Sequence, residues 1–321
     1  MLKPLVLVTG ASGYIGASVT HAFLRTGYRV RGTVRKQAQA DAWREHFPHY
    51  KEKLGFAIVE DMGKEGAYDE AIKDVEVVVH TASPFFFGYT DNERDMLLPA
   101  VNGTLNILEA AHHAGTVRQV VLTSSFAALQ DYHHGPDPAK VYTEEDWCPL
   151  TWEEAVNEEK DQVLVYVTSK KYAEKKAWDF LEEKRPNFSL TTILPVYVLG
   201  ASEQPLDSID GLSTSASWIR EFIDKRDLPK APIHAMIDVQ DVALAHLRAV
   251  ENARVTGGKR YLVAAHPFSG SVVAQILHQG FPDKQKRFPG ARGEPSWDKE
   301  EPWKWDTSRY AVAGPAQCRA Y

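Results

Sequence analysis

Leu5-Val6-Leu7-Val8-Thr9-Gly10-Ala11-Ser12-Gly13-Tyr14-Ile15-Gly16 carries a short apolar run directly into three glycines, each three residues from the next. The run is partly β-branched and reads as a strand buried on both faces. After the turn, Tyr14 to Leu24 places apolar residues at helical spacing, and Gly27 supplies a stop. A strand, a glycine turn and a helix in that order make a cradle for a dinucleotide. The chain must turn tightly, its backbone must approach a pyrophosphate, and the helix N-terminus must aim free N–H groups at negative charge. The spacing is GxxGxxG rather than GxGxxG, and the flanking strand and helix give it its meaning. Gly10, Ser12, Gly13, Tyr14, Ile15 and Gly16 are the candidate contacts.

The end of the next strand-like segment, Tyr28-Arg29-Val30-Arg31-Gly32-Thr33-Val34-Arg35-Lys36, contains no acid. An NAD enzyme places a carboxylate there for the adenosine ribose, about twenty residues past the turn, whereas a cation accommodates the extra phosphate of NADP. Arg35 and Lys36 are the best placed cations and Arg31 is a third candidate. A guanidinium fork suits a phosphate monoester.

Three further strands are expected at Gly55 to Met62, Val75 to Ser83 and Val117 to Ser125, with a helix over Val101 to Ala111 between the last two. Alternating strands and helices predict an α/β fold, a Rossmann-type doubly wound parallel sheet. Ligands in such sheets lie beyond the carboxyl ends of the strands, which gathers Asp61, Thr81, Ala82, Ser83 and Ser125 around one crevice. Asp61 is placed either for the adenine end of a cofactor or as a turn residue.

Tyr-x-x-x-Lys occurs twice, at Tyr166/Lys170 and Tyr172/Lys176. Residues four apart share a helix face, so each pair is in reach of itself. The first stripe continues through Ala173, Ala177, Phe180 and Leu181, a packing face, and the second through Asp179 and Glu183, which belong in water. The inward pair is therefore Tyr166/Lys170. A free tyrosine titrates at about 10, too high for efficient acid catalysis near neutrality, and a neighbouring ammonium lowers that value. Tyr166 is thus a candidate proton donor to a carbonyl oxygen, Lys170 the group that tunes it and holds a ribose, and Ser125 a hydrogen-bond donor to the oxygen that gains charge. Ser124 stands beside Ser125, and spacing alone does not choose between them.

These segments together resemble the extended short-chain dehydrogenases/reductases. The similarity is to the branch of plant dihydroflavonol reductases and, within it, the fungal NADPH-dependent methylglyoxal/isovaleraldehyde, aldehyde and ketone reductases. It is carried by Thr9 to Gly16, Gly32 to Arg35, Val59 to Met62, His80 to Phe85, Glu93 to Gly103, Leu122 to Ser125, Tyr166 to Lys170, Pro195 to Gly200 and Ile237 to Ala243. The resemblance implies NADPH as cofactor and Ser125, Tyr166 and Lys170 as the catalytic set. It implies that Met62 joins the cofactor contacts, that Pro195 and Val198 lie against the nicotinamide, and that Phe85, Phe126 and Tyr197 border a substrate pocket. Phe126 stands where a relative has tyrosine. After Trp305 to Arg309, where relatives continue into a closing helix, this chain runs through Ala313-Gly314-Pro315-Ala316 to Tyr321.

With 321 residues the chain has room for two lobes. The expected division is 1–195 for the cofactor domain, with a returning segment near 237–264, and 196–321 mainly for a smaller C-terminal substrate lobe. Within the latter, residues 201–230 read either as a lid or as a packed connector, and 238–252 and 259–264 as a helix and a strand. A net charge of −6 argues against a nucleic-acid partner. The two cysteines, Cys148 and Cys318, give no disulfide framework and suit a reducing cytoplasm. No signal peptide, membrane span or metal-ligand spacing is read, and the histidine pairs at 112–113 and 133–134 are taken as surface residues. The expected partner is a small carbonyl substrate, and the expected state a monomer or homodimer. A nucleotide-sugar enzyme would need an extended, cation-lined site, for which only Arg220, Lys225, Arg226 and Lys230 are available between Tyr197 and Lys230. A non-catalytic NADP-binding redox sensor would not need Ser125, Tyr166 and Lys170.

Overall fold

Leu5–Thr9 forms the first strand, β1, buried from Val6 onward as a strand covered on both faces must be. The computed structural model describes residues 3–133, 137, 139–206, 211–231, 233–290 and 304–313. The chain continues through α1 (Tyr14–Arg25), β2 (Arg29–Val34), α2 (Gln37–His46), β3 (Leu54–Ile58), β4 (Val77–His80), α3 (Leu98–Ala114), β5 (Gln119–Thr123), β6 (Val141–Tyr142), α4 (Trp152–Asn157), α5 (Gln162–Lys184) and β7 (Ser189–Pro195). Then follow β8 (Tyr197–Leu199), α6 (Thr214–Arg220), β9 (Ala235–Asp238), α7 (Val239–Glu251), α8 (Ala253–Thr256), β10 (Lys259–Val263), β11 (His266–Pro267), α9 (Gly270–Gly280), β12 (Lys304–Trp305) and α10 (Ser308–Ala313).

Seven strands make one sheet in the order β10-β7-β5-β4-β1-β2-β3, every neighbouring pair parallel. Val6 and Val8 of β1 face a core shared with α1 and α7, while Leu7 faces the opposite core beneath α3 and α5. The sheet is therefore covered on both sides, the doubly wound arrangement expected. Chain direction across the sheet reverses between β1 and β4, which opens a crevice beyond their carboxyl ends. α7 and β10 also belong to this body, since α7 packs along α1 and β10 pairs with β7.

The remaining strands form a three-stranded sheet, β11-β9-β8, and a small pair, β12-β6. Leu199, Trp218, Phe222, Phe268 and Val273 make the core of the smaller lobe. Within 201–230, Trp218 and Phe222 are buried in this core, and the Trp218 indole N–H donates to the Lys230 carbonyl at 2.9 Å. Residues 207–210 of that segment lie outside the described residues, as do His134, Cys318 and the tail beyond 313. Among the described residues no helix is long and apolar enough to cross a membrane, and no cluster of His, Cys, Asp or Glu could hold a metal.

The strands are shorter than expected at their carboxyl ends. β3 stops at Ile58 and not at Met62, β4 at His80 and not at Ser83, and β5 at Thr123 and not at Ser125. The N–H groups beyond β4 leave the ladder because another acceptor serves them: Thr81 and Ala82 both donate to the Thr9 hydroxyl, at 3.1 and 3.2 Å. The helix expected over 101–111 is longer, Leu98–Ala114, and follows a π-helical turn at Glu93–Leu97.

α1 lies so close to the glycine turn that a Cβ on Gly16 would fall 2.2 Å from the Gly10 carbonyl oxygen and 2.8 Å from the Thr81 hydroxyl. Neither the backbone oxygen nor the bonded hydroxyl can step aside cheaply. Gly16→Ala is expected to lower stability by about 1–3 kcal/mol, an overpacking cost, read as a lower denaturant midpoint at unchanged slope.

Candidate active site

The turn after β1 is built on left-handed backbone and missing side chains. Gly10 sits at φ +67°, and its N–H donates to the Thr33 hydroxyl at 3.0 Å. The Ala11 N–H reaches the Thr33 carbonyl and the Gly13 N–H the Gly10 carbonyl. Gly13 precedes α1 with no side-chain cap, so the first N–H groups of the helix are free for an anion. A cleft of about 1010 Å³ runs from here along the strand ends, lined by Gly10, Ser12 and Gly13, by Arg35, by Asp61 and Met62, and by Thr81, Ala82 and Ser83. Its size, its side-chain-free floor and its uncapped helix fit an extended dinucleotide.

Of the candidate contacts in the turn, Tyr14, Ile15 and Gly16 fall outside that lining. Tyr14 is buried, and its hydroxyl donates to the Gly200 carbonyl at 2.7 Å, tying α1 to the segment after β8. Burial, aided by Asp238, pushes that phenol far up. Ile15 packs against the core, and Gly16 serves the close approach of α1. The side chains of Tyr14 and Ile15 and the bare Cα of Gly16 thus support the turn, while the backbone N–H groups of these three residues open α1.

Of the cations, Arg35 lines the cleft with an exposed guanidinium. Lys36 beside it is exposed and lies outside that lining. Arg31 is occupied elsewhere, donating to the carbonyls of Ala71 and Lys73 at 2.9 and 2.6 Å. Asp61 is a turn residue whose carboxylate accepts the Gly63 N–H at 2.8 Å, and it lines the cleft. Met62 is seated by Gly103, where any Cβ would meet its Cε at 2.0 Å.

Other lining residues had no local signal. Gln39 of α2 accepts the Arg35 N–H at 2.9 Å and so shapes the strand end. Gln204, far along the chain, donates to the Ser12 carbonyl at 2.8 Å and closes the cleft over the glycine turn.

The chemical residues stand past the end of β5. α5 starts where the Asp161 carboxylate accepts the N–H groups of Val163 and Leu164, and it carries Tyr166 and Lys170 on its inner side. Ser125 caps a short 3-10 turn, its hydroxyl accepting the Ala127 N–H at 3.1 Å, and it also hydrogen-bonds Tyr166. Burial pushes the Tyr166 phenol up to about 12, and the Ser125 bond opposes it. Lys170 is buried, its ammonium donating to the Thr123 carbonyl at 3.1 Å. Burial lowers Lys170 to about 8 against the raising influence of Glu174. The lowering of Tyr166 expected from Lys170 is not what acts in this structure, where Lys170 is turned to Thr123 and Ser125 is the opposing group. The Ser124 hydroxyl donates to Glu174 at 2.6 Å inside the protein, whereas Ser125 faces the tyrosine.

Phe85 lies against Tyr166 with ring centroids 4.6 Å apart, and the neighbouring Pro84 and Phe86 line the cleft, so the Tyr166 site adjoins it. Phe126 does not border a pocket: it is 1% exposed and edge-on to Tyr142 in the core, which corrects that expectation. Tyr197 is half-buried, stacked on Phe268 and edge-on to Trp218. Pro195 and Val198 are buried at the end of β7 and in β8 and line no part of the described cleft.

Residues 6–264 match the model of the NAD dependent epimerase/dehydratase family. The chain belongs to that family. It is 43% identical over 285 residues to an uncharacterized oxidoreductase of Schizosaccharomyces pombe, covering 88% of this chain and 84% of the relative. It is 39% identical over 294 residues to an NADPH-dependent methylglyoxal reductase of Saccharomyces cerevisiae, again 88% of this chain and 84% of the relative. The structure of the yeast methylglyoxal/isovaleraldehyde reductase complexed with NADPH superposes with a TM-score of 0.88 at 36% identity, covering 96% of this chain and 92% of the other.

Within this family member the second Tyr-x-x-x-Lys pair has a different use. The Tyr172 hydroxyl accepts the Trp152 N–H at 3.1 Å, with the two rings edge-on, while Lys176 pairs with Asp179 at the surface. Tyr172 is thus half-buried and not the solvated residue expected. Tyr172→Phe is expected to keep full turnover and cost about 0.5–1.5 kcal/mol of stability, the worth of one hydrogen bond, checked by steady-state assay and denaturant titration.

Proposed function

We propose that this protein is an NADPH-dependent carbonyl reductase that converts small aldehydes, ketones or vicinal diketones with apolar substituents to alcohols. The observation that carries this is the meeting of the Ser125 hydroxyl with the Tyr166 phenol beside buried Lys170, next to a dinucleotide-sized cleft. The yeast relative and its NADPH complex support the same reading.

NADPH, when bound, supplies a hydride for the carbonyl carbon. The residues of the chain do the rest. The glycine turn and the N-terminus of α1 hold the pyrophosphate, Arg35 takes the 2′-phosphate, and Asp61 serves the adenine end. Ser125 donates a hydrogen bond to the carbonyl oxygen, where negative charge develops. Tyr166, protonated at neutral pH because burial holds it near 12, passes its phenolic proton to that oxygen. The Ser125 hydrogen bond lowers the cost of the phenolate left behind, and Lys170 holds the nicotinamide ribose. Each hydride and proton taken up completes one alcohol.

Phe85, against the Tyr166 ring, and half-buried Tyr197 are the apolar walls of the proposed substrate site. Aromatic walls favour apolar carbonyl substituents over a second diphosphate, and so favour this reading over a nucleotide-sugar enzyme. All residues come from one chain, so a monomer and a homodimer would each carry complete sites. The buried free thiol of Cys148 suits a reducing, cytoplasmic setting.

Loss of NADPH absorbance with isovaleraldehyde, methylglyoxal, a vicinal diketone and an aryl ketone tests the proposal. NADPH binding without turnover of any of them would overturn it. Tyr166→Phe is expected to lower kcat by about 10²–10⁴-fold, the usual worth of a general acid, while NADPH binding by fluorescence is retained. Arg35→Ser is expected to raise the KM for NADPH about tenfold to a hundredfold, as loss of a charged hydrogen-bonding partner does, and to leave the KM for NADH nearly unchanged.

A further inference from the structure

Glu174 lies one helical turn after Lys170 on α5 and is fully buried. Its carboxylate is saturated with donors from four elements. Oε1 accepts from the Thr192 hydroxyl of β7 at 2.7 Å, from Arg260 Nε of β10 at 2.8 Å and from the Trp178 indole N–H at 3.3 Å. Oε2 accepts from the Ser124 hydroxyl at 2.6 Å and from Arg260 Nη2 at 3.2 Å. Arg260 is itself fixed, its guanidinium 3.6 Å above the Trp147 ring and its Nη1 donating to the carbonyls of Glu144 and Asp146.

A buried ion pair is weak evidence of stability, because desolvation offsets much of its attraction. Its position here argues for another use. Ser124, the residue Glu174 grips, lies between Thr123, whose carbonyl receives the Lys170 ammonium, and Ser125, which bonds Tyr166. We propose that Glu174 is a positioning residue for the carbonyl reduction inferred above, on which this rests: clamped by Arg260, it holds the Thr123–Ser125 strand end against α5 and so keeps Ser125, Tyr166 and Lys170 in register.

The same carboxylate is the negative charge that offsets burial at Lys170. The other titratable groups near that ammonium give it no such help. His80 of β4 feels the Lys170 charge and is held neutral by burial, at about 3; Tyr166 is protonated; and Arg260, behind Glu174, is positive. Removing the negative charge of Glu174 therefore drives Lys170 lower and brings forward its loss of a proton as pH rises.

The test is the pH profile of kcat/KM for isovaleraldehyde at saturating NADPH, for wild type, Glu174→Gln and Ser124→Ala. Glu174→Gln keeps the shape and removes the charge. It is expected to lower kcat about tenfold with the KM for NADPH within about twofold, and to move the alkaline limb about one pH unit lower, the scale of a lost neighbouring charge. Ser124→Ala cuts the grip and leaves the charge, so kcat falls several-fold, on the order of one lost hydrogen bond, and the limb stays. A folded Glu174→Gln with wild-type kcat and an unmoved limb overturns the proposal. So does loss of activity that tracks loss of NADPH binding and thermal stability with the limb unmoved. If Glu174→Gln does not fold, Ser124→Ala decides: wild-type kcat there overturns the proposal. A wild-type protein inert toward every carbonyl would instead sink the reductase reading itself.

Discussion

The approach of α1 to the glycine turn governs the rest of the architecture. With no side chain at Gly16, the helix settles onto the Gly10 carbonyl and the Thr81 hydroxyl, and its first N–H groups point along the crevice between β1 and β4. A helix displaced by one methyl group would carry with it Tyr14, which reaches across to Gly200, and the α7 face packed along it. The cleft floor and the connection to the smaller lobe are therefore fixed by a single contact distance.

Where the strands end, hydroxyl groups replace the ladder. Thr9 is the clearest case, because its oxygen accepts two N–H groups and leaves its own proton for His80 Nδ1, 2.8 Å away. That bond makes Nδ1 an acceptor and sets the imidazole tautomer. The adjacent serines divide similar work, Ser124 turned inward to Glu174 and Ser125 toward Tyr166. Backbone that has left the sheet is thus kept ordered without closing the space a ligand needs. Lys170, like Glu174 one turn away, is a desolvated charge, the kind of local cost that accompanies chemistry.

How much of this was legible follows from whether the signal was local. The glycine turn and the Tyr166/Lys170 face rest on spacings of three or four residues and could be read directly. α2 could not, because only Ala40 and Trp43 of it are buried and it shows no apolar stripe. Glu174 stands between lysines at 170, 171, 175 and 176 and reads as part of a solvated stretch, yet Arg260, 86 residues on, takes it into the interior. Gln204 meets Ser12 across 192 residues, a contact that no periodicity encodes. The pocket role of Phe126 came from resemblance alone, and it failed because the ring turns to Tyr142.

Among the described residues the chain passes between the main body and the smaller lobe at three places: between β7 and β8, between β9 and α7, and between β10 and β11. Backbone bonds reinforce the junctions, from Val196 to the Val263 carbonyl and from Ala265 to the Met236 carbonyl. Two attachment points would define an axis about which a lobe could swing, whereas three define a plane. The smaller lobe accordingly has little freedom to swing as a rigid body, and a shift at any one junction is resisted by the other two.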